Sequence, residues 1–365
     1  MCILIFVSLL ALLFTRLESI GQMKNGMAWS FGLLTFLAAI HYDFGNDYMP
    51  YYNTYNQITS YSFNLDAVLN KDVWKEPGWV LLCYAFLPLG GFFSLVIFLS
   101  VLQNVIYYKF IKIYVEPKWW VLGVYIYLFS TSYYVLNMSM FRQGLAIALF
   151  VWAFTFFKDR KLLPAIILII CAASVHNSAK ILMPFLIWGF IPFASKKLTK
   201  YLSIFFGLLF LILFFNGDTV NTIFMSFADF EDFQNYTDTY EEGKGNSYGL
   251  GFLFNTMPFF MFLYYLLKNQ DAEIWQKQLV ALACIGTFII PFGNIIPMVT
   301  RLGMYFGVFT IAAIPIVYKW IPNKDLGKAV LYIYLLMTTY DYYLFFTDSA
   351  FAKYYSTFHT IFSAI

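Results

Sequence analysis

The chain has 365 residues, of which 61% are hydrophobic, 22% aromatic and only 12% charged, with a formal net charge of +3. No soluble domain needs that much apolar surface, so the composition excludes one and predicts an all-α polytopic membrane protein. Continuous apolar runs, in place of short alternating segments, also argue against a β-barrel, and no nucleic-acid partner is expected. Four cysteines, Cys2, Cys83, Cys171 and Cys284, stand singly in apolar runs. Without close pairs or Cys/His spacing they indicate neither a disulfide framework nor a zinc site. The first fifteen residues lack a basic leading region and a small-residue cleavage site, so they read as a retained first span.

In chain order, twelve spans are predicted, near 2–15, 27–40, 91–108, 119–137, 141–157, 162–175, 179–193, 201–215, 251–267, 278–296, 302–320 and 330–346. Several fall short of the roughly 20 residues that a straight span needs. Orientation follows from charge. Sixteen of the 23 basic residues collect in the turns around Arg16/Lys24, Lys109/Lys112/Lys118, Lys158/Arg160/Lys161, Lys196/Lys197/Lys200, Lys268/Lys277 and Lys319/Lys324/Lys328. Placing all of these in the cytoplasm satisfies the positive-inside rule at every turn. Both termini, the loops 41–77 and 216–250 and the tail 347–365 then lie on the other side. Loop 216–250 carries seven acidic residues against Lys244 alone.

The segment 78–90 is apolar but too short to span, and a span there would break the alternation of basic turns. It is predicted to be a re-entrant or interfacial half-helix, a backbone tolerated where it lines a protein cavity. No soluble domain, linker or internal repeat is visible, so residues 1–365 read as a single integral membrane domain.

The polar residues outside the basic turns carry the chemistry. Arg142 stands at the mouth of the apolar run 144–157, with Gln143 beside it. An arginine next to hydrocarbon is costly unless it faces protein, water or an anion. It can snorkel to the headgroups, but the predicted topology sets it opposite the side where such anchors collect. Arg301 opens a span with Tyr305 one turn on, and Lys180 follows His176 by four residues, a spacing that lets both share a helix face. Asp47 and Glu76 come from the outer loop 41–77.

The stretch Asp47 to Tyr55, which includes Tyr48 and Tyr52, puts a carboxylate and tyrosines at helical spacing, since Asp47, Tyr51 and Tyr55 follow i, i+4. They suit an interfacial aromatic belt or a stacking platform for sugar rings. Two arginines with planar donor forks fit a phosphate or pyrophosphate, and a carboxylate and a histidine supply candidate proton acceptors. Each member also has a plainer use. Glu76, before Pro77, can shape a turn; His176 can be a hydrogen-bonded interfacial histidine; Asp43 can be a solvated charge. Their convergence on one side points to a functional site. The Asp/Glu spacing suggests no metal cage, and no cofactor is expected.

These residues resemble the motifs of the EpsG-like branch of the Wzy-type polysaccharide polymerases, multi-spanning bacterial inner-membrane glycosyltransferases. The resemblance runs over most of the chain. It is carried by Gly45-Asn-Asp47-Tyr48-x-x-Tyr51, Glu76-Pro-Gly78, Asn137 to Ala148 with Arg142-Gln143, His176-Asn-Ser178-Ala179, and Arg301-x-x-x-Tyr305-Phe306, in the expected order. Where the family often has a basic residue shortly before the Gly-x-Asp-Tyr element, this chain has His41, which leaves open whether one phosphate contact is missing or served by that histidine.

The resemblance implies an architecture similar to the lipid-pyrophosphate-using membrane glycosyltransferases, metal-independent and facing the periplasm or cell exterior. It implies a polymerase of O-antigen, capsule or exopolysaccharide. The growing glycan would pass from undecaprenyl pyrophosphate to the non-reducing end of a lipid-linked repeat unit, and a separate chain-length regulator would be a partner. Asp47 is the first candidate base and His176 the second. Arg142, Gln143, Arg301, Lys180, Glu76, Tyr48, Tyr51 and Tyr305 fall to the substrate and its pyrophosphate.

That chemistry also stands on physical grounds. A departing lipid pyrophosphate builds negative charge, which preorganised arginines stabilise, and a base at the acceptor hydroxyl completes an in-line displacement with inversion. Two other functions compete. A transporter or flippase for the same lipid-linked glycan would need inverted-repeat halves and broken midplane helices, and no self-similarity is visible. A membrane acyltransferase would use His176 as base with a cytoplasmic acyl donor, yet the basic inner turns are short and hold no catalytic-looking group.

Overall fold

The computed structural model describes residues 2–190, 196–216, 250–269, 271–294, 297–321, 323–347 and 352–363. The chain forms two compact units, residues 1–189 with 332–365, and residues 190–331. The first unit holds α1 (Cys2–Ser19), α2 (Gly26–Ile40), β1 (His41–Tyr42), α3 (Tyr48–Thr59), α4 (Leu65–Leu69) and α5 (Pro77–Phe86). It continues through α6 (Gly91–Tyr114), α7 (Trp120–Phe129), α8 (Tyr134–Asn137), α9 (Phe141–Lys158), α10 (Leu162–Val175) and a 3-10 stretch, Asn177–Phe190. The second holds α11 (Lys196–Phe215), α12 (Leu250–Lys268), α13 (Ile274–Ile289), α14 (Pro297–Gly307) and α15 (Thr310–Trp320). Helix α16 (Lys324–Thr347) leads back to the first unit, where β2 (His359–Thr360) pairs with β1.

The all-helical class is as expected, since a backbone in hydrocarbon must satisfy its own hydrogen bonds. The twelve-span count is not confirmed. Among the described residues only α1, α6, α9, Ile274–Phe292 and α16 are long and apolar enough to cross a membrane, five in all, or six if Val299–Gly307 and Thr310–Trp320, bent by 58°, count as one span. The 15 residues of α2 reach about 22 Å, short of a hydrocarbon core of about 30 Å. The expected span 119–137 breaks between α7 and α8, and 179–193 falls on the 3-10 stretch, which contains Pro184. The expected half-helix at 78–90 is a ten-residue α5 ending in a 3-10 turn over Leu87–Leu89. Of the loop 216–250, all but its first and last residue lie outside the described residues.

In the first unit α9 is the central helix. Its Gln143 to Val151 run is buried without a break, as befits a helix that is apolar all round. Two buried hydroxyls find backbone acceptors across helices: Ser100 Oγ donates to Ala38 O at 2.9 Å and Tyr134 Oη to Leu34 O at 2.7 Å. Helix α2 meets α1 closely, and a Cβ at Gly26 would fall 2.1 Å from the Phe14 carbonyl oxygen.

The two ends of this unit differ. Where α6 begins, Phe92 packs on Tyr48, Tyr55 and Phe141. Where it ends, Lys112 pairs with Glu18 at 2.6 Å and lies over the Trp120 ring, and Lys158, closing α9, lies over Tyr114. Phe92 and Lys112 are twenty residues apart on one helix, or about 30 Å. Basic turns and motif residues therefore occupy opposite ends.

In the second unit, α13 and α14 approach so closely that a Cβ at Gly286 would fall 2.2 Å from the Gly307 nitrogen. Arg301 and Tyr305 sit one turn apart on α14, with Tyr305 fully buried.

Candidate functional site

Arg142 is the second residue of α9. A cation at a helix N-terminus opposes the helix dipole, so other groups must hold it there. Two do. Its Nη1 donates to Glu76 Oε2 at 2.6 Å and its Nε to the Tyr51 hydroxyl at 3.3 Å. The guanidinium also lies 5.1 Å from the Tyr51 ring centroid and 5.9 Å from that of Trp74, within cation–π range.

Glu76 occupies the N-cap of α5, ahead of Pro77, but its side chain does not cap that helix. Its carbonyl accepts from the Trp79 and Val80 N–H groups, which makes the turn. The carboxylate instead reaches outward: Oε2 to Arg142, Oε1 to His176 Nδ1 at 3.5 Å and to the Asn177 N–H at 3.5 Å. Burial alone would push its pKa up; the nearby His176 imidazole and the Arg142 charge outweigh burial and hold it below the ordinary carboxylate value. What allows this convergence is a glycine. A Cβ at Gly78 would fall 2.3 Å from Ser174 Oγ and 2.9 Å from the Ser174 backbone carbon, so α5 and α10 touch only because Gly78 has no side chain.

His176 ends α10 in extended backbone and is 7% exposed. With Nδ1 facing a carboxylate, the proton belongs there and Nε2 becomes the accepting nitrogen. Asp47 is the half-buried N-cap of α3. Asn46 Nδ2 donates to its Oδ1 at 2.8 Å and its own N–H donates to Ser139 Oγ at 3.2 Å. The Tyr51 hydroxyl feels the field of all three charges: burial raises its pKa most, Arg142 lowers it, and Asp47 and Glu76 raise it. Asp47, Tyr51, Glu76, Arg142 and His176 thus converge in one unit.

Other expected members lie elsewhere. Gln143 is fully buried, one residue and hence about 100° around α9 from Arg142. Lys180 is exposed on the 3-10 stretch, so the four-residue helix face it was to share with His176 does not exist. Tyr48 and Tyr51 are 0% and 7% exposed, with rings packed on His41, Phe92, Phe141 and Trp79. They are core rings, not a stacking platform for sugars; Tyr51 contributes its hydroxyl instead. His41 is 0% exposed, with Nδ1 at Ala38 O and Nε2 2.7 Å from Met138 O. Burial lowers its pKa to about 4 against the pull of those two carbonyls, so it braces the backbone and does not serve as a phosphate contact. Arg301 and Tyr305 belong to the second unit.

Trp74, Asn46 and Ser139 are site residues that motif reasoning passed over. Trp74 lies two residues before Glu76, where an aromatic was readable as a cation partner. Ser139, 0% exposed, gave no signal beyond lying three residues before Arg142. Among the described residues no group of three His, Cys, Asp or Glu side chains could hold a metal ion.

No curated protein and no solved structure matches the chain. The profile of the EpsG family matches residues 24–359, a range that takes in every motif residue above. The chain belongs to the EpsG family, whose polymerases are of the Wzy type.

Proposed function

We propose that the protein is a polysaccharide polymerase of the outer face of the bacterial cytoplasmic membrane, and that it transfers a growing glycan from undecaprenyl pyrophosphate to the non-reducing end of a lipid-linked repeat. The observation that carries this reading is Arg142, held by Glu76 and Tyr51 at the helix start farthest from the basic turns. Its side chain is 19% exposed, and its fork suits an oxygen of a departing pyrophosphate. Arg301 is assigned the same task by residue type and family motif.

Asp47 is the base in this reading. It takes the proton of the acceptor hydroxyl as that oxygen attacks the anomeric carbon, the bond to the pyrophosphate breaks, and configuration inverts. A second assignment is favoured by one contact, the Glu76 carboxylate at His176 Nδ1, which would make His176 Nε2 the proton acceptor. An arginine beside the leaving pyrophosphate can offset its charge without a metal ion.

The test is the lipid-linked glycan profile of a deletion strain. Accumulation of single lipid-linked repeats is expected. Undecorated polymer of normal length would point to an acyltransferase, and repeats trapped on the cytoplasmic leaflet to a flippase.

A further inference from the structure

At the corner before Asp47 the backbone leaves its ordinary range twice, with Asp43 at φ 46° and Gly45 at φ 107°. Such a conformation persists where the surroundings hold it. Two things hold this one. From one side, Ser139 Oγ accepts the Asp47 N–H at 3.2 Å and donates to Asn46 Oδ1 at 3.4 Å. From the other comes the end of the chain. Strand β2 pairs with β1, Tyr42 opposite His359, and the Gly45 N–H donates to Tyr354 O at 3.0 Å. Tyr355 is 2% exposed, its ring caged by Phe44, Phe345 and Phe346 at centroid distances of 5.0, 4.9 and 5.8 Å. Its hydroxyl stands beside Ser139, since a Cβ at Gly45 would fall 3.2 Å from the Tyr355 hydroxyl and 2.4 Å from Ser139 Oγ.

We propose that residues 352–363 form a strap that completes the site, and that Tyr355, acting through Ser139, is a positioning residue for Asp47. This rests on the reading in which Asp47 serves the reaction. A serine hydroxyl has one proton and two accepting lone pairs. With its proton on Asn46 and one lone pair on the Asp47 N–H, Ser139 has one lone pair left, and the Tyr355 hydroxyl stands where it can donate to it and lock that orientation. Without that bond Ser139 can turn, and the carboxylate three bonds along the chain loses its fixed place. Looseness on the scale of an ångström costs rate far more than affinity.

The experiment compares Tyr355→Phe, which keeps the caged ring, with Ser139→Ala, the double variant and Asp47→Asn. The readouts are single-turnover polymerisation of a defined lipid-linked repeat and its binding affinity. Tyr355→Phe is expected to slow turnover about tenfold with affinity within about twofold, and the double variant to be no slower than Ser139→Ala alone. A fully active Tyr355→Phe beside a dead Asp47→Asn overturns the strap's role and leaves the base assignment standing. A fully active Asp47→Asn overturns both.

A second arm tests docking directly. Cross-strand partners lie about 4.5–5.5 Å apart at Cα, within disulfide range, so Tyr42→Cys with His359→Cys should crosslink on oxidation without loss of rate. Failure to crosslink, or an oxidised form that regains activity only on reduction, overturns a strap that stays docked through turnover.

Discussion

Arg142 Nη1 lies 2.6 Å from Glu76 Oε2, across 66 residues of sequence, and both side chains are mostly shielded, at 19% and 7% exposure. A buried pair adds little net stability over an apolar one, but removing one partner strands the other charge, typically at about 3–5 kcal/mol. Glu76→Gln is therefore expected to lower the thermal midpoint of the purified protein by several degrees. Glu76 has a depressed folded-state pKa. Its contribution is present above the unfolded carboxylate value and is lost as pH falls through the lower folded one. An unchanged midpoint for Glu76→Gln across neutral pH would show that the pair holds nothing.

His41 predicts a second pH effect by the opposite chemistry. It is buried neutral, with a folded pKa near 4 against an ordinary 6.5. The unfolded chain binds a proton that the folded one refuses, so stability is full above pH 6.5 and falls as pH drops toward 4. The displacement corresponds to about 3 kcal/mol at most. His41→Gln keeps an N–H donor for one of the Ala38 and Met138 carbonyls and does not titrate, so it should flatten this part of the stability curve. A wild-type slope in the variant would assign the effect to other groups.

Gly78 is the third test. A methyl there would collide with the Ser174 side chain and backbone, and overpacking of this kind costs roughly 1–3 kcal/mol. Because α5 carries Glu76, the shift should also pull the carboxylate from His176. Gly78→Ala is expected to fold and to lose most turnover, and Ser174→Gly should restore part of it by removing two of the three nearest atoms. Full activity in Gly78→Ala alone would mean that the α5–α10 contact does not position the site.

Sidedness is tested at the two ends of the first unit. Asn56 lies exposed on α3 near the site, and Lys118 lies exposed beyond the basic end of α6. In a background with the exposed Cys2 and Cys171 changed to serine, Asn56→Cys in intact spheroplasts should react with an impermeant thiol reagent. Lys118→Cys should stay protected until the membrane is opened. The reverse pattern would place the site in the cytoplasm and remove the flipped lipid-linked donor from reach.

Much of the site was legible because its members are chemically costly in a membrane. Arg142, Glu76, Asp47 and His176 had to be somewhere polar, and the alternation of basic turns said at which end. Their partners were not legible, since Arg142 and Glu76 are joined only through the meeting of α5, α9 and α10. Tyr48 and Tyr51 misled because helical spacing tells which residues share a face, and Phe92 and Phe141, which cover that face, lie on other helices. Lys180 misled because a 3-10 backbone, with three residues per turn, does not align i with i+4. The strap had no signal at all. A two-residue strand shows no alternation, and its partner lies more than 300 residues away. The twelve spans were not confirmed for a related reason: among the described residues, apolar helices of ten to seventeen residues read like membrane crossings in sequence but fall short in length.

The last prediction assigns the base. Asp47 is half-buried, with its N–H held by Ser139 and its carboxylate by Asn46. His176 is nearly buried and turned toward Glu76. If Asp47 takes the acceptor proton, Asp47→Asn keeps size and hydrogen bonding but removes the basic oxygen, so turnover should fall by about two to four orders of magnitude, the usual contribution of a general base. Donor binding should survive, because the proposed reading assigns it to Arg142 and not to Asp47. His176→Gln should then cost less, since glutamine can still donate toward Glu76. Purified enzyme with a defined lipid-linked repeat separates the two assignments by single-turnover rate and donor affinity. Normal turnover in Asp47→Asn, beside a His176→Gln variant that binds donor and does not react, would transfer the role to His176. The Glu76 carboxylate would then be the group that fixes its tautomer, and Glu76→Gln should reproduce the loss.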